Sequence, residues 1–411
     1  MSRRTYGTWL VIGGVALLVV VLVGSVALAG PLGATGAADS PTLVGIHGGG
    51  FGLHEHGSVT LYDTLGRPTW SFDAADSYFD VTMLESGTVL AGFMNGSSEQ
   101  CGPYESPCAR TGFHVIGTDP APHLRNRYSF PVRSKFNSEV HDVEALPSGN
   151  YLLTDMEYER IMVVTPEGER VWEWNASSRY SAPEDPTRVD WLHINDVDRI
   201  GEGRYLVSVR NANELLVVER GAGVVEVINE GGDPDLFFRQ HNPQWLGPGA
   251  VLVADSGNDR IVELHYDESA GEWRVAWSLQ SAEGVSFDWP RDADRLPNGN
   301  TLITDTVNRR IVEVTEAGET VWSTSTRWKP YEADRLPAGE TVGGPTYENS
   351  SGASDRGREG GVPVLTEAYN ALRVVAPLPY WFGQWHLLAT VAGLVSIVAG
   401  GALRLTGDGR S

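Results

Sequence analysis

Lysine and cysteine are scarce in this chain, and basic charge is in deficit. Only Lys135 and Lys329 are lysines among 31 basic residues; 53 residues are acidic and the formal charge is −22. Phosphate recognition needs a basic stripe and none is visible, which excludes nucleic acid as a partner. Acid excess with almost no lysine is the pattern of surfaces adapted to high salt, although net charge also serves ordinary solubility. The two cysteines, Cys101 and Cys108, bracket a loop containing one glycine and two prolines. Two thiols fall short of the four ligands a structural zinc site takes. They are expected to form a disulfide, which contributes about 2–3 kcal/mol for so short a loop. A disulfide in turn points outside the cytoplasm.

Long apolar runs are also few. One runs from Trp9 to Ala29 behind Arg3 and Arg4, and a second from Leu387 to Leu403. Each is long enough to cross a bilayer. The first ends in Ala27-Leu28-Ala29, which also fits a cleavage site, but its length favours a retained anchor. Tyr380, Trp381, Phe382 and Trp385 precede the second as an aromatic belt, and Arg404 and Arg410 follow it. Basic outer ends predict both termini inside the cell and the intervening chain on the extracellular face. The expected organisation is an anchor or signal peptide at 1–30, one β domain at 42–342, a flexible tether at 343–379 rich in Gly, Ser and charge, and a second span at 380–404.

What the chain has in plenty is a repeated phrase. His141-Asp142-Val143-Glu144-Ala145-Leu146-Pro147-Ser148-Gly149-Asn150 returns as Gln240-His241-Asn242-Pro243-Gln244-Trp245-Leu246-Gly247-Pro248-Gly249, and again from Pro290 to Asn300. Between the phrases lie short runs such as Tyr151–Thr154 and Arg160–Val164, apolar or alternating as buried strands are, with Gly and Asn at the turns. A fixed period of this kind indicates stacked β units. Tyr331–Gly339 repeats the opening of a unit without its remainder, and the first unit lacks that opening. Pairing the last strand into the first blade closes a ring of six, an all-β six-bladed propeller without a free sheet edge. Trp172, Trp174, Trp277 and Trp322 are expected to pack between blades. Gly48–Gly50 with His47, His54 and His56 reads as a mobile hairpin; without a following helix it is no phosphate loop.

Stepping back five residues from Leu84, Leu146, Ile200, Leu246, Leu296 and Leu336 gives Phe79, His141, Asn195, His241, Arg291 and Tyr331. These positions should be equivalent, on the innermost strands at one mouth of the channel. His193 lies two residues before Asn195, on the same strand face. Arg210, on the next strand of that blade, can lean over the same opening. A lone histidine in a β protein is usually structural. Three in successive blades near one register are better explained by a binding site.

Asp190-Trp191-Leu192-His193-Ile194-Asn195, Arg210 downstream, and Gln240-His241-Asn242-Pro243-Gln244-Trp245 together resemble the arylsulfotransferase family of bacterial periplasmic enzymes, over roughly 135–325. The resemblance implies a six-bladed propeller that moves a sulfuryl group from an aryl sulfate donor to a phenolic acceptor through a sulfohistidine, with no cofactor and no metal. It implies His241 as nucleophile, His193, Asn195 and Arg210 as sulfate-binding and acid–base residues, and His141 as a further motif histidine. Arg291 and Tyr331 enter as substrate-binding candidates by register. The chain departs from the characterised type of that family, which has a separate N-terminal β domain used in dimerisation and lacks two membrane spans; oligomeric state stays open. Two rival readings stand beside this one: a metal centre on His141, His193 and His241 serving a propeller lyase or hydrolase, and a non-catalytic binding propeller at the cell surface.

Overall fold

A computed structural model describes residues 2–28, 34–49, 54–135, 139–337, 339, 341–347, 372 and 382–406. It divides into two compact units, one formed by residues 33–354 and one by the two chain ends.

The larger unit is a six-bladed propeller. Five blades are four-stranded antiparallel sheets in chain order, with inner strands at Ser77–Met83, Val143–Ala145, Ile194–Gly201, His241–Gly247 and Pro290–Arg295. The remaining blade is composite. Its inner strand, Lys329–Arg335, comes from the end of the domain and pairs with Thr42–Gly48, which continues into Ser58–Tyr62 and Pro68–Phe72. This is the expected closure. The composite blade is counted here as the first and the others follow in chain order.

The repeated phrase is a turn. In the third and sixth blades the N–H of Leu146 and Leu296 donates to the carbonyl of Asn150 and Asn300. Gly149 and Gly299 take φ of +83° and +87°, a region that glycine enters without steric cost. The strands behind each turn bury wholly apolar residues such as Leu152, Leu153, Ile161 and Val163. Neighbouring blades share these faces: Trp174 and Leu152 of the third pack against Val197, Tyr205 and Val207 of the fourth. Trp277 and Trp322 are buried between blades in the same way.

A second device joins the blades near the axis. The acidic residue following four of the six ring positions reaches into the next blade. Asp80 accepts the N–H of Val143 (3.0 Å), Asp142 that of Val197 (2.6 Å), Asp292 that of Ala333 (3.0 Å) and Glu332 that of Val81 (3.2 Å). Each bond satisfies a buried backbone donor that the inner edge would otherwise leave without a partner. The rung from Asp196 would fall on Pro243, which has no N–H.

The cysteine loop belongs to the second blade, where Cys101 and Cys108 are disulfide-bonded. Residues 343–347, at the head of the expected tether, are held on the propeller. The Gly343 N–H donates to the Trp245 carbonyl, the Tyr347 N–H donates to Glu263 Oε1 (2.9 Å), and the Tyr347 ring lies against the Arg295 guanidinium. Residues 348–371 and 373–381 lie outside the described residues.

The second unit contains two helices, Arg3–Leu28 and Gln384–Thr406, both long and apolar enough to cross a membrane. They pack antiparallel through glycine. A Cβ on Gly7 would meet the Gly400 carbonyl oxygen at 2.6 Å, and one on Gly14 the Gly393 carbonyl oxygen at 2.6 Å. Small residues let the backbones approach. At the far end Ser25 Oγ is 2.8 Å from His386 Nε2. The outward side chains are exposed, Val20 at 70% and Val398 at 71%, as lipid-facing positions are.

Candidate functional site

The ring expected from the register is present. Tyr331 is its hub: the centroids of Phe79, His141 and His241 lie 5.5, 5.4 and 6.1 Å from that of Tyr331, and the Arg291 guanidinium carbon lies 5.2 Å from it. His193 stacks on His141 at 5.0 Å. All four rings of His141, His193, His241 and Tyr331 are buried. Asn195 is buried too, but its amide is engaged: Nδ2 donates to the Gln240 carbonyl at 2.8 Å. That bond fixes the residue ahead of His241.

His241 has a defined tautomer. Its Nδ1 is 2.8 Å from Ser256 Oγ, and Ser256 Oγ donates to the Pro290 carbonyl at 2.5 Å. With its one proton so used, the hydroxyl accepts from His241 Nδ1–H, and the lone pair resides on Nε2. Burial pushes the His241 pKa well below its ordinary value, and the Arg291 and Arg210 cations push the same way. The ring is therefore neutral, with an available ring nitrogen.

His193 is held more tightly. Its Nδ1 faces Asp190 Oδ1 at 2.6 Å, while Arg210 Nη1 donates to its Nε2 at 2.8 Å. Arg210 Nη2 also reaches Asp190 Oδ2 at 2.9 Å. The backbone at His193 has φ +56°. Glu159 stabilises this turn by accepting the N–H groups of Leu192, His193 and Ile194 at 2.9, 2.7 and 2.9 Å. Burial pushes the Glu159 carboxyl up to about 7 against the pull of those three donors.

His141 Nε2 meets Glu139 Oε2 at 2.5 Å, and its Nδ1 is buried without a hydrogen-bond partner. Burial opposes the charge on Glu139, but His54 and His141 overcome it and hold the carboxyl down at about 2. Arg291 Nε is likewise without a partner, and among the described residues Arg291 has no ion-paired carboxylate. The buried Tyr331 hydroxyl is also without a hydrogen bond. Lys329, one of the two lysines, stands two residues before Tyr331; burial and the neighbouring Arg291 bring its pKa down to about 8.

Three residues at this site escaped the register argument. His47 is on the Thr42–Gly48 strand and His54 follows it; both are buried against the ring, so neither belongs to a mobile hairpin. Glu139 stands two residues before His141. The first blade receives its inner strand from the other end of the domain, so no repeated phrase marks His47. The alternation Glu139, His141 was the one available signal.

The imidazoles of His141, His193 and His241 do not form a ligand set. Asp190 and Arg210 occupy both nitrogens of His193, Glu139 takes one of His141, and Ser256 takes one of His241. No shared point receives three lone pairs.

Residues 175–327, which span the fourth, fifth and sixth blades, match the family described as Arylsulfotransferase (ASST). The segment contains His193, Asn195, Arg210, His241 and Arg291. No curated protein matches the chain. Among solved structures, a protein of unknown function from Bacteroides caccae aligns with 15% identity and TM-score 0.51, over 72% of this chain and 97% of that one. A periplasmic gluconolactonase of Pseudomonas aeruginosa aligns with 12% identity, TM-score 0.42, over 72% and 98%. Virginiamycin B lyase of Staphylococcus aureus aligns with 12% identity, TM-score 0.39, over 60% and 69%. At these identities the first alignment shows a common fold and nothing more.

Proposed function

We propose that this protein transfers a sulfuryl group from an aryl sulfate to a phenol through a covalent intermediate on His241. One observation carries the reading: a buried, neutral imidazole with its lone pair fixed on Nε2 faces a ring that also holds a guanidinium with no carboxylate partner among the described residues.

In the first half-reaction His241 Nε2 attacks sulfur; the N–S bond forms as the S–O bond to the aryl group breaks, and the phenolate carries the electron pair away. A phenolate leaves readily because its conjugate acid has a pKa of about 10. In the second, a phenol oxygen attacks the same sulfur, the N–S bond breaks, and the phenol proton passes to a base. His141 Nδ1, buried and without a partner, is positioned for that proton. Arg291 and the Tyr331 hydroxyl supply donors for the oxygens of the group in transit, which stabilises the charge they bear. Arg210 holds the His193 ring and joins this role once substrate displaces its present contacts. Two half-reactions through one intermediate give ping-pong kinetics.

The cell membrane is the proposed location, with the propeller on the extracellular face and both termini inside. Pairing Gly7 with Gly400 brings Arg3, Arg4 and Arg404 to the same end of the helix pair, where the positive-inside rule expects basic residues on the cytoplasmic side. The Cys101–Cys108 disulfide fits an oxidising compartment.

The test is the intact mass of the protein after mixing with a chromogenic aryl sulfate in the absence of acceptor. A gain of one sulfuryl group, lost in His241→Ala and discharged by added phenol, is the expected result. Release of phenol without a mass gain, or an unchanged gain in His241→Ala, overturns the reading.

A further inference from the structure

Beside the ring, two buried acceptor atoms face each other. Ser77 Oγ donates to the His47 carbonyl at 2.8 Å, so it accepts from His54 Nδ1–H at 2.9 Å. The His54 lone pair is thereby placed on Nε2. That atom lies 3.1 Å from Glu139 Oε1. A carboxylate oxygen is an acceptor only. Two acceptors at hydrogen-bond distance in a buried site repel unless a cation lies between them.

A third donor stands at hand. His47 has a buried Nδ1 with no hydrogen-bond partner, and one ligand atom from each of His47, His54 and Glu139 lies within 4.8 Å of the others. All three side chains are more than nine-tenths buried. Metal-bound histidines usually donate their second ring nitrogen to a fixed acceptor, as His54 does to Ser77.

We infer that His47, His54 and Glu139 form a binding site for a divalent cation of the zinc type. Two imidazole nitrogens and one carboxylate oxygen suit zinc and its first-row neighbours better than calcium or magnesium, which prefer oxygen. Three protein ligands leave a fourth position open. The site joins His47 of the first blade to Glu139 at the entrance of the third. Glu139 would use Oε1 for the metal and keep Oε2 for His141, so the metal would hold the residue that orients His141. The inference does not rest on the sulfuryl-transfer reading, because it is argued from its own three ligands alone.

The experiment uses the full chain in detergent, stripped with chelator and then titrated with Zn2+ and, separately, Co2+. Expected are one equivalent of zinc per chain by elemental analysis, and visible Co2+ bands of a four- or five-coordinate site. His241→Ala should retain both, even though it abolishes transfer. His54→Ala should remove the bands, and Ser77→Ala should weaken binding by about tenfold or more through loss of ring orientation. Wild-type protein that takes up no zinc and shows only the spectrum of aqueous Co2+ overturns the inference, whatever the variants do. Uptake unchanged in His54→Ala overturns it equally.

Discussion

Ser256 is the acceptor of the His241 Nδ1 proton because its own hydroxyl proton is committed to the Pro290 carbonyl. The pair thus ties His241 of the fifth blade to the start of the sixth. Removing the hydroxyl should free the ring to take either tautomer and to rotate. Ser256→Ala is expected to lower the single-turnover rate of His241 sulfation about 10- to 100-fold while the KM for donor changes little. Stopped-flow release of a chromogenic phenol measures both quantities.

The pH dependence follows from the direction of the His241 shift. Protonation removes the nucleophilic lone pair, and an ordinary imidazole is half protonated near about 6.5. Burial and the Arg291 and Arg210 charges hold His241 well below that value. The neutral form, and with it the sulfation rate, should persist from about pH 8 down through about 6.5 without a break. Arg291→Gln removes one depressing charge and should shift the acid limb to higher pH. A wild-type rate that halves near 6.5 contradicts the assignment.

The interblade rungs make a stability prediction. Asp142 Oδ2 accepts the buried Val197 N–H at 2.6 Å. Asp142→Ala leaves that donor without its partner and should cost about 2 kcal/mol. The measurement is the shift of the urea midpoint. A change near zero would mean that the rung contributes nothing the blade faces do not already supply.

The helix pair offers a test through its glycines. A side chain at position 14 would collide with the Gly393 carbonyl oxygen. Gly14→Leu should therefore separate the helices. With cysteines placed by Ser25→Cys and His386→Cys, where the two side chains already meet, cross-linking by a short bis-maleimide should be rapid in the otherwise native chain and fall several-fold when Gly14→Leu is added.

Much of this architecture was legible in the sequence because a propeller repeats its local chemistry. The Leu-Pro-x-Gly-Asn turn set the register, and five residues back from its first apolar residue stood the ring members, from His141 to Tyr331. The closure was readable from the incomplete repeat at Tyr331–Gly339. The Thr42–Gly48 strand was not, because its inner neighbour Lys329–Arg335 is contributed from about 290 residues away. That is why His47 and His54, in a glycine-rich stretch, looked like part of a mobile hairpin. The role of Asn195 was hidden for another reason: nothing in its own segment reveals that its amide is spent on the Gln240 carbonyl of the next blade. Nor could composition reveal that Tyr347, within the stretch that reads as a tether, lies under Arg295 and is 4% exposed.

The composite first blade also sets an order of events during synthesis. Thr42–Gly48 emerges early, yet its inner neighbour Lys329–Arg335 is among the last parts of the domain to be made. Until then the nascent chain carries an unpaired β edge bearing His47, next to a half-built mouth. Any ligand that needs Tyr331 beside His141 has nowhere to bind before the ribosome has passed residue 335.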